Sequence, residues 1–202
     1  MTYIQTVPPY AAAGQVAELY AADVAERGYV ANLTRAFSLR PVVLVAWRQL
    51  LAAVVAPIDR RRFELVTLAA ASALRSTYCA MAHARVLRDG FHDADTVRRI
   101  VTSPATAGLD PTDVAIMEFA ERVARDATSI GPDDVDRLRT HGLSDAEILD
   151  VILAAAARCF FSTVLDAAGA QADAQLSDDL EPALRAAVTV GRPPADRVAA
   201  DG

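Results

Sequence analysis

Apolar residues recur at three- and four-residue steps through most of the chain. Val16, Leu19, Tyr20 and Val24 do so near its start, and Val114, Met117 and Val123, with Phe119 beside them, do so again later. This is the period of a helix with one buried face. No stretch of useful length alternates apolar with polar residues, so an all-α fold is expected. Hydrophobic residues make up 53% of the chain but aromatics only 6%. Alanine fills the difference, and as the best helix former and a poor strand residue it favours closely packed helices. The 202 residues fit one domain over 1–202 with a substantial core.

Turn and cap residues divide this pattern into helices. Gly28 stops the first, and Pro41 suits the opening turn of the segment PVVLVAWRQLLAAVV. That segment is apolar nearly all round, so it is expected to be deeply buried. Pro57 breaks it, and Asp59 is placed to cap the next helix. Arg60, Arg61 and Arg62 then occupy a first turn where cations oppose the helix dipole, so acidic groups or a partner must hold them, unless they form a solvated face. Asp110-Pro111, Gly131-Pro132 and the capping box Ser144–Glu147 open further helices, the last a long apolar one from 145 to about 168. A terminal helix near 180 to 189 precedes a Gly/Pro-containing tail, from about 190, that is expected to be mobile.

Charge excludes several functions. The net charge is −6 and the isoelectric point about 5.0, which argues against nucleic acid as a partner. All 20 basic residues are arginine, so no side-chain amine exists for Schiff-base chemistry. The lysine-free, Ala- and Arg-rich composition implies a GC-rich bacterial genome. Two cysteines, Cys79 and Cys159, are too few for a disulfide scaffold. The start, MTYIQTVPPY, lacks the features of a signal peptide, and apolar runs such as VILAAAA fall short of the roughly 18 residues a bilayer span needs. A cytoplasmic protein with no membrane partner is expected.

One stretch concentrates chemistry: FELVTLAAASALRSTYCAMAH, residues 63–83. Glu64 is the single acid in an apolar run. Ser76 or Thr77 can cap a helix that continues to Asp89, which puts Cys79 in its first turn, where amide groups and the dipole favour a thiolate. His83, four residues on, shares the face of Cys79. Plainer readings stand beside these. Cys79 alone could be a small core residue, His83 a histidine satisfied by a carbonyl, Glu64 a partner for Arg75 or a helix neighbour, and Tyr78 packing. Ser76 reads as a cap before it reads as a nucleophile, because no base adjoins it. Cys159 reads as core filler. A metal site is poorly supported, since Glu64, Cys79 and His83 would be three ligands with no further His or Cys to complete them, and no cofactor is called for.

The same residues carry a resemblance. An acid, a Cys-x-x-Cys pair beginning twelve positions later and a His four residues after the second Cys is the pattern of the alkyl hydroperoxidase D (AhpD) core, within the carboxymuconolactone decarboxylase-like superfamily. This chain resembles it at Glu64, Ser76, Tyr78, Cys79 and His83 with every spacing kept, and Ser76 stands where the family has its first cysteine. The preceding NLTRAFSLRPVVLVAWRQLLAAV is also similar, and the resemblance covers about residues 10–175.

The resemblance implies an AhpD-like helical bundle assembled as a homo-oligomer, a trimer or hexamer. It implies reduction of a hydroperoxide in antioxidant defence, with Cys79 attacking peroxide oxygen and Glu64 and His83 relaying protons. With the resolving cysteine replaced by Ser76, the chain would be a one-cysteine peroxidase that needs an external thiol reductant. Two alternatives stay open. One is a decarboxylase-like enzyme for a small carboxylated substrate, using His83, Glu64 and an arginine. The other is an inactive scaffold whose Cys79 senses oxidants.

Overall fold

A computed structural model describes residues 2–197, and among them there are helices and no strands. The helices are α1 (Gly14–Arg27), α2 (Asn32–Ala36), α3 (Pro41–Val55), α4 (Arg60–Ala73), α5 (Thr77–Gly90), α6 (Ala94–Thr102), α7 (Pro111–Asp126), α8 (Pro132–Thr140), α9 (Asp145–Ala168), α10 (Ala174–Asp178) and α11 (Pro182–Val188). Most boundaries sit where the turn and cap chemistry puts them. Gly28, at φ 81°, ends α1 with its amide on the Val24 carbonyl. Asp59 and Asp110 accept amide hydrogens at the starts of α4 and α7. Ser144 and Glu147 close the reciprocal box that opens α9.

Helix α4 is the axis of the bundle, packed against α5, α7 and α9. All nine residues from Phe63 to Ala71 are buried. Alanine lets the neighbouring backbones approach on several sides, while Phe63, Leu65 and Leu68 fill the spaces between them. One continuous apolar cluster joins these residues to Leu87, Phe119, Leu138 and Leu165 on the surrounding helices.

The three arginines of the α4 first turn reach solvent, but each is also held by a buried carboxylate. Arg61 Nη2 lies 2.5 Å and Arg62 Nε 3.1 Å from the two carboxylate oxygens of Asp113 on α7, a side chain with no exposure. Arg60 turns the other way, toward Glu64. Buried carboxylates thus offset the unfavourable meeting of cations with the helix dipole.

Three expectations need correction. Helix α3 is not deeply buried: Leu44, Trp47 and Val54 face the core, while Val42, Val43 and Leu50 are exposed. Leu149, Leu153 and Phe160 of α9 are exposed as well, and Trp47 stacks on Phe161 across the α3–α9 contact. Helix α9 does have the length and mean hydropathy of a bilayer span, 24 residues at 1.9. However, half of that apolar window is buried inside the bundle, as befits a core helix.

The tail is the third correction, as far as the described residues reach; 198–202 lie outside them. Gly191 donates to Thr77 Oγ1 at 2.9 Å, Ala195 donates to the Ala172 carbonyl at 2.8 Å, and Arg192 stacks on the Tyr3 ring. The tail therefore straps the turn between α4 and α5. Arg75 holds φ 58° there, a left-handed conformation that costs a residue with a side chain roughly 1–2 kcal/mol. Its Nε bonds the Val190 carbonyl at 3.2 Å. Position 191 must be glycine, because a Cβ would stand 1.9 Å from the Arg75 carbonyl oxygen.

Removing the buried acid of the α4–α7 contact tests this account. Asp113→Ala should lower unfolding stability by about 2 kcal/mol, less than the 3–5 of a wholly buried pair because both arginines reach solvent. Urea titration should show a lower midpoint with unchanged slope; an unchanged midpoint would mean that the two ion pairs add nothing net.

Candidate active site

Glu64, His83 and Cys79 come together where α5 crosses α4. Glu64 is wholly buried on α4, and its Oε2 lies 2.5 Å from Nδ1 of His83 on α5. Its other oxygen lies 2.8 Å from Arg60 Nη2, near enough for an ion pair but not aligned as a hydrogen bond. The pairing with Arg75 considered from sequence does not form; Arg75 turns to the tail instead.

Arg60 and Glu64 are one turn apart on α4, and His83 is brought in by the packing of α5, its ring also meeting Phe63 edge-on. A carboxylate at Nδ1 fixes the neutral ring with its proton on that nitrogen. Nε2 is then the free lone pair, and among the described residues it has no partner. Burial and the nearby Arg158 guanidinium push the ring's pKa below the ordinary histidine range, more than Glu64 raises it. A neutral imidazole is therefore the resting form, with Glu64 ready to stabilise a positive charge if one arrives.

Cys79 lies in the first turn of α5 and is 3% exposed. Its sulfur has one polar partner, Nη1 of Arg158 on α9, at 3.4 Å. Arg158 is 4% exposed and also stacks over Phe161. Its Nε is buried without a partner, and among the described residues no carboxylate lies within ion-pair distance. A buried cation whose only hydrogen bond runs to a thiol is costly unless negative charge reaches it. Arg158 is the site residue that sequence reasoning missed. The available signal was one charged residue inside VILAAAARCFFSTVL, the same oddity that marks Glu64.

Ser76 and Tyr78 are not brought to this cluster by hydrogen bonds. Ser76 occupies the cap position of α5 but caps nothing with its side chain, which is fully buried under the turn. Its hydroxyl leans toward Asp166 without completing a hydrogen bond of ordinary geometry. Tyr78 points to the far side of α5, where its hydroxyl donates to Asp173 and accepts from the Leu33 amide at 3.1 Å. Burial and the Asp173 carboxylate raise its pKa well above the usual phenol range, so Tyr78 ties α5 to α2 and the segment before α10. Cys159 is a free, partly buried thiol whose pKa burial pushes up. Among the described residues no group of three or more His, Cys, Asp or Glu side chains could hold a metal ion.

The comparisons with known proteins bear on the sequence family and the fold. Residues 41–122 match the carboxymuconolactone decarboxylase family, a span that runs from α3 into α7 and includes Glu64, Cys79 and His83 but not Arg158. Among curated proteins none matches the sequence. Several solved structures share the fold. An AhpD-core, uncharacterized peroxidase-related protein from Ralstonia eutropha JMP134 superposes with a TM-score of 0.77 at 18% identity, covering 87% of this chain and 94% of that one. A second uncharacterized peroxidase-related protein, from Silicibacter sp. TM1040, gives 0.75 at 20% identity over 87% and 93%. The debrominase Bmp8, solved as a cysteine-to-alanine variant with 2,3,4-tribromopyrrole, gives 0.70 at 16% identity over 93% and 98%. In the matched span and in its fold the chain is similar to carboxymuconolactone decarboxylase and AhpD-core proteins.

The lowered His83 pKa makes stability depend on pH in a definite direction. In the unfolded chain His83 takes up a proton near pH 6.5, whereas the folded site resists it to lower pH. Between those two values the unfolded state binds more protons, so stability is fully present above about pH 6.5 and falls on acidification. His92 is shifted the same way and remains in every variant as an internal reference. His83→Gln should remove part of the stability lost between pH 7.5 and 5, read as a flatter profile of urea midpoints; a profile parallel to that of the wild type would contradict the assignment.

Proposed function

We propose that this chain is a one-cysteine, thiol-dependent peroxidase that reduces hydroperoxides at Cys79. The observation that carries the reading is the pairing of two chemical halves with two buried counter-charges: Arg158 on the sulfur and Glu64 on the imidazole. Moving the thiol proton to Nε2 of His83 would make a thiolate against the guanidinium and an imidazolium against the carboxylate. Each charge then forms where its partner already waits.

The thiolate attacks the terminal peroxide oxygen, the O–O bond breaks, and the departing alkoxide takes the proton back from His83. The products are the alcohol and Cys79 sulfenic acid. Arg60, ion-paired to Glu64 at the protein surface, is a positioning residue for the ring. An external thiol must return the sulfur to its starting state, since position 76 is serine. The expected cytoplasmic location fits that need, and the exposed apolar residues of α3 and α9 support the expected homo-oligomer.

A second reading is favoured by the same arginine. Arg158, without a carboxylate partner, could anchor a small carboxylated substrate while His83 moves a proton, as in a decarboxylase-like reaction. In that case Cys79 is incidental.

A peroxide titration separates the two. Mixed with cumene hydroperoxide and a sulfenic-acid trap, the protein should be modified at Cys79, as read by mass spectrometry, far faster than free cysteine at the same pH. His83→Ala should slow this by about 10²-fold, the usual contribution of a positioned acid–base group, and Arg158→Gln should slow it too. Cys79 reacting no faster than free cysteine would remove the peroxidase reading and leave the decarboxylase-like one.

A further inference from the structure

We propose that the sulfenic acid at Cys79 is reduced by a small thiol carrying a carboxylate, and that Arg158 binds that carboxylate. The inference rests on the peroxidase reading and names the class of reductant that reading requires. Three observations converge on it.

The reductant must come from outside. Position 76 is a serine, fully buried beneath the turn that the C-terminal tail straps. Cys159 follows Arg158 directly on α9, and successive helix residues point about 100° apart. With Arg158 turned to the Cys79 sulfur, Cys159 is directed elsewhere, and both cysteines are free.

The reductant must also be small. Only 3% of Cys79 is exposed, and its sulfur is met by the Arg158 side chain that reaches in from α9. A thiol fixed on the surface of a folded protein would have to push α9 aside to reach it, whereas a molecule of a few heavy atoms need only enter between α5 and α9.

Finally, the site asks for an anion once the sulfur is oxidised. Arg158 is 4% exposed, with Nη1 on the sulfur, a sealed Nε without a partner and no carboxylate within ion-pair distance among the described residues. The thiolate formed during turnover answers that charge, and the neutral sulfenic acid that replaces it does not. Oxidation therefore exposes a buried guanidinium to the next anion that fits, and a planar carboxylate is its best geometric match. Glu64 cannot serve, because it is held by Arg60 and His83.

The chemistry balances with two thiols. The first attacks the sulfenic sulfur; an S–S bond forms, the S–O bond breaks, and hydroxide leaves as water with the thiol proton. The second attacks the mixed disulfide at the outer sulfur, releasing the symmetrical disulfide and restoring Cys79. Two small thiols lose one electron each, and the sulfenic sulfur gains both.

The test is a single turnover of the full chain. One equivalent of cumene hydroperoxide oxidises the protein, mass spectrometry confirms Cys79 sulfenic acid, and the sample is mixed with 3-mercaptopropionate or its methyl ester at equal thiolate concentration. The acid should react at least about tenfold faster than the ester, a ratio that falls toward one in Arg158→Gln and is partly kept in Arg158→Lys. Propionate, which has the carboxylate and no thiol, should slow the acid and not the ester, and this holds the proposal to account even if the variants fail to fold. Equal rates for acid and ester on the oxidised wild type would overturn the proposal alone. Failure to form sulfenic acid in the first step would overturn the peroxidase reading, and this proposal with it.

Discussion

The structure depends on burying an ionised carboxylate in the middle of its most crowded helix. Helix α4 is enclosed by α5, α7 and α9, and Glu64 lies within its buried stretch with no exposure. Leaving a carboxylate there unpaired would cost several kcal/mol. The solution is local and uses two elements. Arg60 reaches Glu64 from one turn earlier, and α5 is packed so that His83 meets its other oxygen at 2.5 Å. Asp113 is treated in the same way at the first turn of α4, held by Arg61 and Arg62. These contacts do more than neutralise charge. Each ion pair has a direction and a length, so it fixes how α4 is rotated against α5 and α7, which alanine-rich packing alone specifies weakly.

With that rotation set, the rest of the site follows from helix geometry. His83 fixed against Glu64 puts Cys79 one turn earlier on the same helix. The long helix α9, packed against α4, delivers Arg158 to the sulfur. Tyr78, next to Cys79 in the chain, necessarily faces another way and serves as a tie to Asp173. Asp173 is itself held by the Asn32 amide at 2.8 Å. Helix α5 is thus gripped on both sides, by the Glu64–His83 contact on one and by the Tyr78–Asp173 hydrogen bond on the other.

The helical class, nearly all the boundaries and the Glu64–Cys79–His83 set were legible in the sequence because each depends on neighbours within a turn or two. Caps, glycine stops and i, i+4 faces are local facts. Arg158 was not legible in the same way, since its meaning comes from a contact 79 positions away, although a lone arginine in an alanine run was a visible anomaly. Helix α3 misled for a different reason. Apolar residues all round a helix state that every side is to be covered, and a single chain covers only the side bearing Leu44, Trp47 and Val54. The tail misled because glycine and proline exclude helix without excluding order. Its hydrogen bonds run to Thr77, Ala172 and Arg75, which no local pattern could pair with it.

Ser76, which stands where the AhpD pattern has its first cysteine, lies at a turn that is firmly held. A resolving cysteine works by approaching its partner in the oxidised state, which requires the start of the helix to yield. Here the turn before α5 is held by a left-handed Arg75, by a glycine pressed against the Arg75 carbonyl, and by a tail hydrogen bond to Thr77. Those contacts rigidify the segment that a two-cysteine cycle would have to move. The Arg158 guanidinium meets the Cys79 sulfur from α9, with its Nε left without a partner. If the first cysteine were restored by Ser76→Cys alone, the strapped turn would still oppose disulfide closure. On the proposed peroxidase reading, the held turn closes the internal route to the sulfur, and Arg158 stands on the route left to an external reductant.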